Sequence, residues 1–236
     1  MIFPIGSTAP RSGWPVATLA LIAACCLVFL WQESLPREQA FRLVADYALI
    51  PRRYADARWA VWHGLDPRDR LPLISMAFLH GGWLHVVLNM WTLWLFGRSV
   101  ERRLGWPRFL LIYLLCALLA AWAHLAVYPE SPVPVLGASG AIAGILGASA
   151  VLFPRARVIV LILVVVVPLI FRVPALLYAG LWFGLQVLQG ANTLLHPTFG
   201  GGVAWWAHIG GFVAGLALAH LLAPPQGPAV RPQAGS

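Results

Sequence analysis

The chain has 236 residues, of which 60% are hydrophobic and 10% are charged, and its mean hydropathy is +0.79. These values exclude an ordinary soluble domain and favour a membrane protein. The net charge of +8 comes from arginines that are spread over the chain, so the composition argues against nucleic acid as a partner and predicts none.

Six apolar segments approach the length of about 20 residues that a helix needs to cross a hydrocarbon core of about 30 Å. They predict an all-α polytopic membrane protein with six transmembrane helices. The predicted spans are residues 14–31, 83–100, 109–127, 139–153, 175–189 and 203–222. Residues 1–13 precede this membrane domain of residues 14–222, and the tail 223–236, rich in proline, glycine and glutamine, is predicted to be disordered.

The arginines predict the orientation of these spans. Basic residues accumulate on the cytoplasmic side of a bilayer, so the arginines at residues 98–108 and 155–172 place both termini in the cytoplasm. The loop 32–71 then lies outside. It carries seven arginines and six acidic residues, which makes it nearly neutral and compatible with translocation, and it is expected to be partly helical.

A further apolar run at residues 158–171 resembles a seventh span on composition alone. Arg155 and Arg157 precede this run and Arg172 follows it, so a crossing would place one basic group on the opposite side from the others. We therefore predict that the run makes no net crossing and forms a re-entrant or interfacial excursion.

The fourth span begins with a possible nucleophile. Gly137 and Gly140 flank Ser139 at a point where a loop becomes a helix, and the free backbone N–H groups of a helix start stabilise an anion. Small neighbours also admit a substrate backbone. Taken alone, the pattern is weak and is more typical of helix packing by small residues, because Ser139, Ala143 and Gly147 share one face.

The sixth span contributes a possible base. His208 shares a stripe of the helix with Gly211 and Gly215, and an ionisable side chain within a membrane helix is a candidate functional group. The alternative is an interhelical hydrogen bond. If one crossing separates Ser139 from His208, both lie at the same side of the membrane, where the histidine can take the serine proton.

No aspartate or glutamate follows Glu130, so the sequence predicts a Ser-His dyad without a carboxylate. Desolvation and packing must then hold His208 in its useful tautomer. At the start of the second span, His85 and Asn89 lie one helical turn apart and predict an oxyanion hole together with the backbone N–H of Ser139. A polar contact between helices is the alternative.

Three motifs in this order resemble the rhomboid intramembrane serine proteases. They are H-x-x-x-x-H-x-x-x-N from His80 to Asn89, G-x-S-G around Ser139, and A-H-x-x-G-x-x-x-G around His208, and the resemblance covers residues 71–222. It implies a six-helix rhomboid-like bundle in which Ser139 is the nucleophile, His208 the base and His85 and Asn89 the oxyanion donors. His80 would be a supporting polar residue beside a water-filled access route.

The resemblance also implies that the fifth span and the loop 190–202 gate the access of substrate. In one respect the chain departs from the family pattern. Many members carry an aromatic residue four positions after the serine, where its ring packs on the catalytic histidine, and this chain has Ala143. Trp205 or Trp206 is a candidate to supply the missing ring.

The expected function is that of an endopeptidase that hydrolyses peptide bonds in or near transmembrane segments of membrane proteins, in a bacterial cytoplasmic membrane. Its expected partners are the lipid bilayer and transmembrane substrates, and neither a metal nor an organic cofactor is expected. A catalytically silent rhomboid-like protein that binds transmembrane helices is one alternative, and a small transporter is another. A zinc protease is disfavoured because the sequence lacks His-Glu-x-x-His, and an aspartyl protease because no predicted span contains aspartate.

Overall fold

The computed structural model describes residues 2–11, 13–164, 167–195 and 203–224. Most of the tail predicted to be disordered lies outside these ranges, and so do residues 196–202 of the predicted gating loop.

The described chain is mostly helical. Its first five helices are α1 (Val16–Ser34), α2 (Arg37–Tyr47), α3 (Arg52–Ala55), α4 (Ala57–Trp62) and α5 (Pro72–Ser75), and a 3₁₀ turn at Met76–Phe78 follows α5. The remaining helices are α6 (Trp83–Leu104), α7 (Trp106–Val127), α8 (Ser139–Leu152), α9 (Ala175–Leu195) and α10 (Trp205–Leu222).

Each of the six segments predicted to span the membrane corresponds to one helix: α1, α6, α7, α8, α9 and α10. Among the described residues, α1, α7 and α10 are long and apolar enough to cross a bilayer unaided. A fourth crossing results if the helical segments Pro72–Phe78 and Trp83–Leu104, which meet at 94°, form one broken span. The helix α8 has only 14 residues. The count of six crossings therefore remains a prediction.

The prediction of an all-α fold is wrong in one respect, because a three-stranded antiparallel sheet is present. Its strands are β1 (Ile2–Ser7), β2 (Arg157–Val164) and β3 (Val167–Pro174), in the order β1-β2-β3. The apolar run considered as a seventh span forms the β2–β3 hairpin, in which Arg157 pairs with Pro174. Its many β-branched residues favour a strand over a helix. The chain therefore leaves the hairpin next to the residue at which it entered it.

The loop 32–71 contains α2, α3 and α4, as expected for a partly helical segment. The Arg53 side chain is 3% exposed and holds this loop together by donating to the carbonyl oxygens of Asp66 (2.9 Å) and Asp46 (3.0 Å). At the start of α4 the backbone N–H of Trp59 donates to the Asp56 carboxylate (2.9 Å), which holds the pKa of Asp56 below its ordinary value.

The loop 32–71 also supports the segment that leads into α8. Leu49 and Val135 exchange two backbone hydrogen bonds of 3.0 and 2.8 Å, and the Arg52 N–H donates to the carbonyl oxygen of Ser131 (3.0 Å). The chain just before Ser139 is thus fixed by backbone contacts with a distant part of the sequence.

The helix α8 is the centre of the bundle, and its residues from Gly140 to Ala150 are all buried. It lies against α10 with almost no side chain between the two backbones. A Cβ atom added at Gly211 would lie 2.0 Å from the carbonyl oxygen of Gly140, and one added at Gly215 would lie 1.9 Å from that of Gly144. Small residues allow this approach, which is typical of helix packing in membranes.

A buried carboxylate fixes the start of α1 against α6. Glu101 is 5% exposed, and its oxygens accept hydrogen bonds from the backbone N–H groups of Ala17 and Thr18 (both 2.8 Å) and from the Thr18 hydroxyl (2.7 Å). The carboxylate therefore satisfies donors at the first turn of α1, where the helix dipole also favours a negative charge.

We predict that Glu101→Ala lowers the free energy of unfolding by about 1–3 kcal/mol, because three buried donors lose their acceptor. The measurement is reversible unfolding in mixed micelles. Glu33→Ala removes an exposed carboxylate and is the matched control, expected to change stability by less than about 0.5 kcal/mol. An equal effect of the two substitutions would contradict the structural role of Glu101.

Candidate active site

Ser139 is the first residue of α8 and follows a sharp turn. Gly137 has a positive φ of 124°, which an L-residue rarely adopts, and its N–H donates to the carbonyl oxygen of Met76 (2.8 Å). The first backbone bond of α8 runs from the Ile142 N–H to the carbonyl oxygen of Ala138. The N–H groups that precede Ile142 therefore lack an intrahelical acceptor and point toward the space before the helix.

His208 lies on α10 beside Ser139, although 69 positions separate the two residues in the sequence. Its Nε2 atom is 2.8 Å from the Ser139 hydroxyl oxygen, and the histidine is 8% exposed. This distance allows the hydroxyl to donate to a neutral Nε2, which is the arrangement that makes a serine nucleophilic.

The other ring nitrogen of His208 has a partner that the sequence analysis missed. Its Nδ1 atom is 2.8 Å from the side-chain oxygen of Gln186 on α9. The prediction that desolvation and packing alone hold the ring is therefore wrong, since an amide oxygen takes the place of the absent carboxylate. The signal was available in the sequence as a glutamine within an apolar helix.

Two tryptophan rings flank the His208 imidazole. Trp205 lies edge-on at 6.2 Å between ring centroids, and Trp182 of α9 lies at 6.0 Å with a tilt of 35°. Trp205 was one of the two predicted candidates for the missing ring, whereas Trp182 was not predicted. Among the ring contacts of the described residues, none joins Trp206 to His208.

His85 and Asn89 lie next to the turn that precedes Ser139. A Cβ atom at Gly137 would be 2.6 Å from the His85 Nε2 atom and 3.6 Å from the Asn89 Nδ2 atom, so only glycine fits between them. Asn89 is 8% exposed, and its Nδ2 atom has no hydrogen-bond partner within the described chain. A buried donor without a partner costs free energy. Such a donor is available to bind an acceptor that arrives with a substrate.

His80 lies behind His85 and is completely buried. The two imidazole centroids are 5.2 Å apart, and the backbone carbonyl of His80 accepts a hydrogen bond from the Gln32 side chain (2.7 Å). The His80 ring nitrogens have no hydrogen-bond partner in the part of the chain that the structure describes. Its predicted supporting role stays a prediction.

The predicted supporting glycines act through packing. Gly211 and Gly215 bring the backbone of α10 onto that of α8, and a Cβ at Gly140 would lie 2.6 Å from the Cβ of Ala120 on α7. Ala143, which stands where many family members have an aromatic residue, is 2% exposed within this close contact.

These groups can carry out acyl transfer. A serine hydroxyl contacts an imidazole at the start of a helix, and two further polar side chains, His85 and Asn89, lie beside the turn before the serine. The described residues contain no group of three or more metal-ligating side chains. The expectation that no metal or cofactor is needed remains untested.

Comparisons with known proteins place the chain among the rhomboids. The family model described as "Rhomboid domain" matches residues 67–225. Rhomboid protein 1, mitochondrial, of Saccharomyces cerevisiae is 30% identical over 206 residues, which are 84% of this chain and 50% of that protein. Rhomboid protease GluP of Bacillus subtilis is 36% identical over 139 residues, which are 58% of this chain and 25% of that protein.

A plant relative extends the comparison. RHOMBOID-like protein 4 of Arabidopsis thaliana is 33% identical over 151 residues, covering 64% of this chain and 33% of the relative. The chain thus spans half or less of the length of these relatives.

We predict that Gly211→Ala separates α8 from α10, destabilises the protein by about 1–3 kcal/mol and slows the reaction of Ser139 with a fluorophosphonate probe. The added methyl group would meet the carbonyl oxygen of Gly140, which cannot move independently of α8. Gly180→Ala on α9 is the matched control, because the space around its Cβ position is open within 4 Å. Equal behaviour of both variants would refute the close-packing account.

Proposed function

Because this chain belongs to the rhomboid family, we propose that it is an intramembrane serine endopeptidase that hydrolyses peptide bonds in or near the transmembrane segments of other membrane proteins. The observation that carries this proposal is the 2.8 Å contact between the Ser139 hydroxyl and the His208 Nε2 atom. An activated serine beside candidate oxyanion donors suits acyl transfer and has no evident use in a transporter.

The reaction begins when the Ser139 oxygen attacks the scissile carbonyl carbon while His208 Nε2 takes the hydroxyl proton. The tetrahedral intermediate collapses as His208 gives this proton to the leaving amine, and the new N-terminus departs from an acyl-enzyme on Ser139. Water then attacks the ester with His208 again as base, which releases the carboxylate product and restores the hydroxyl.

The oxyanion of both tetrahedral intermediates would be held by the Asn89 amide, His85 and the backbone N–H of Ser139. The closeness of His85 and Asn89 to Gly137, two residues before Ser139, supports this assignment. The unpaired Asn89 Nδ2 atom supports it further, because such a donor gains a partner when the oxyanion forms.

The substrate must be locally unwound at the cut. A helix hides its carbonyl carbons within its hydrogen-bonded backbone, so a substrate helix with glycine or proline near the scissile bond exposes that bond more readily. We place the protein in a bacterial cytoplasmic membrane with six spans and with both termini in the cytoplasm. In this orientation Ser139 and His208 lie toward the outer side, where water can enter.

We predict that purified protein in detergent cleaves a model single-span substrate, and that Ser139→Ala and His208→Ala each reduce cleavage by at least about 10³-fold. A metal chelator is expected to change nothing. Normal cleavage by Ser139→Ala would refute the mechanism, and inactivity of the wild type toward several substrates would favour the silent helix-binding alternative.

We predict that Asn89→Ala lowers kcat by about 10²-fold with little change in KM, since an oxyanion donor acts mainly in the transition state. Gln39→Ala, which removes an exposed side-chain amide on α2, is the control and should retain wild-type rates. A rise in KM at constant kcat would instead assign Asn89 to substrate binding.

A further inference from the structure

The helix α9 buries an unusual set of side chains. Its buried residues are Ala175, Ala179, Gln186 and Gly190, so three of the four are alanine or glycine. Leucines dominate the exposed positions of the same helix, among them Leu181, Leu185 and Leu188. Gln186 is therefore the single large polar side chain that α9 turns inward among its described residues, and it is 6% exposed. A buried amide in such surroundings costs free energy unless it is hydrogen-bonded.

The partner of this amide is the His208 ring. The Gln186 Oε1 atom lies 2.8 Å from His208 Nδ1, and His208 Nε2 lies 2.8 Å from the Ser139 hydroxyl oxygen. An amide oxygen can only accept a hydrogen bond, so with the Gln186 oxygen toward the ring, a neutral imidazole that bonds to it carries its proton on Nδ1. Nε2 then presents its lone pair to the serine. The other tautomer would place two lone pairs against each other at Gln186 and remove the acceptor for the serine proton.

We propose that Gln186 is a positioning residue that fixes the Nδ1–H tautomer of His208 and thereby keeps Nε2 free to act as base. The proposal rests on the proposed protease function for the role of His208, while the tautomer itself can be observed without any substrate. Gln186 touches neither the reacting atoms nor the serine in this arrangement. It acts only through the histidine.

A neutral amide suits this site better than a carboxylate. Burial of a carboxylate in an apolar bundle is costly, whereas an amide oxygen keeps the acceptor and avoids the charge. When His208 takes the serine proton, the ring becomes cationic and its Nδ1–H bond to Gln186 becomes charge-assisted and stronger. The contact therefore stabilises the charged intermediate state more than the resting state.

One turn earlier on α9, Trp182 supports the same ring. Its centroid lies 6.0 Å from that of His208, and residues at i and i+4 of a helix share one face. A single face of α9 thus supplies both the hydrogen bond and a ring contact. In this chain α9 provides the restraint that the small side chain of Ala143 on α8 cannot.

The kinetic test compares Gln186→Met, which keeps the volume and removes the acceptor, with Gln186→Glu, which keeps an acceptor oxygen. Gln186→Met is expected to lower kcat about 10–100-fold with a change in KM below about 3-fold, and Gln186→Glu to retain kcat within about 10-fold. Gln39→Met alters an exposed glutamine on α2, away from the gating helix, and should behave as wild type. An unchanged kcat in Gln186→Met would overturn the proposal.

The second test needs no substrate and separates this proposal from the protease function. In protein labelled with ¹⁵N-histidine and held in micelles, ring ¹⁵N shifts report which nitrogen carries the proton, and the His208 signal is assigned by its loss in His208→Asn. We expect Nδ1–H in the wild type, and a mixture of tautomers in Gln186→Met. Nε2–H in the wild type would overturn the proposal even if the protein is an active protease.

Discussion

The approach of two helix backbones is the constraint on which the rest of this structure depends. Gly211 and Gly215 of α10 pack against the carbonyl oxygens of Gly140 and Gly144 of α8, and the space between the two backbones is too small for a Cβ atom. Because this contact begins one residue after Ser139 and three residues after His208, it fixes the distance between the hydroxyl and the imidazole. The Ser139 and His208 side chains are in contact because the backbones of α8 and α10 hold them close to each other.

Around this contact two buried polar side chains are hydrogen-bonded to distant parts of the chain. The Glu101 carboxylate accepts hydrogen bonds from the start of α1, and the Gln186 amide oxygen contacts the His208 ring. Water is scarce inside the apolar core of a bilayer, so a buried polar atom that lacks a partner within the protein is costly there. Several buried polar atoms of the described chain nevertheless have no partner, among them both ring nitrogens of His80 and the Asn89 Nδ2 atom. The Asn89 atom lies beside the turn that precedes Ser139.

The motifs around Ser139 and His208 were predictable because each depends on local spacing within one helix. The glycines beside them indicated which faces of α8 and α10 come into contact. Gln186 and Trp182 were not predictable in the same way, since their role depends on the rotation and placement of α9 relative to α10. The sheet was missed for a similar reason. Strand β1 pairs with β2 across 151 to 160 positions of sequence, and a local apolar pattern does not reveal such a distant partner.

The placement of Gln186 and Trp182 on α9 has a consequence for when the protein can react. Leucines dominate the exposed positions of α9, and α9 is the helix expected to move aside when a substrate arrives. A displacement of α9 would withdraw the amide from His208 and leave the imidazole free to exchange its tautomers. The state that admits a passing helix would then be chemically idle, and reactivity would return only when α9 closes again. Such a coupling would favour cleavage of helices that remain at the site over cleavage of helices that only diffuse past it.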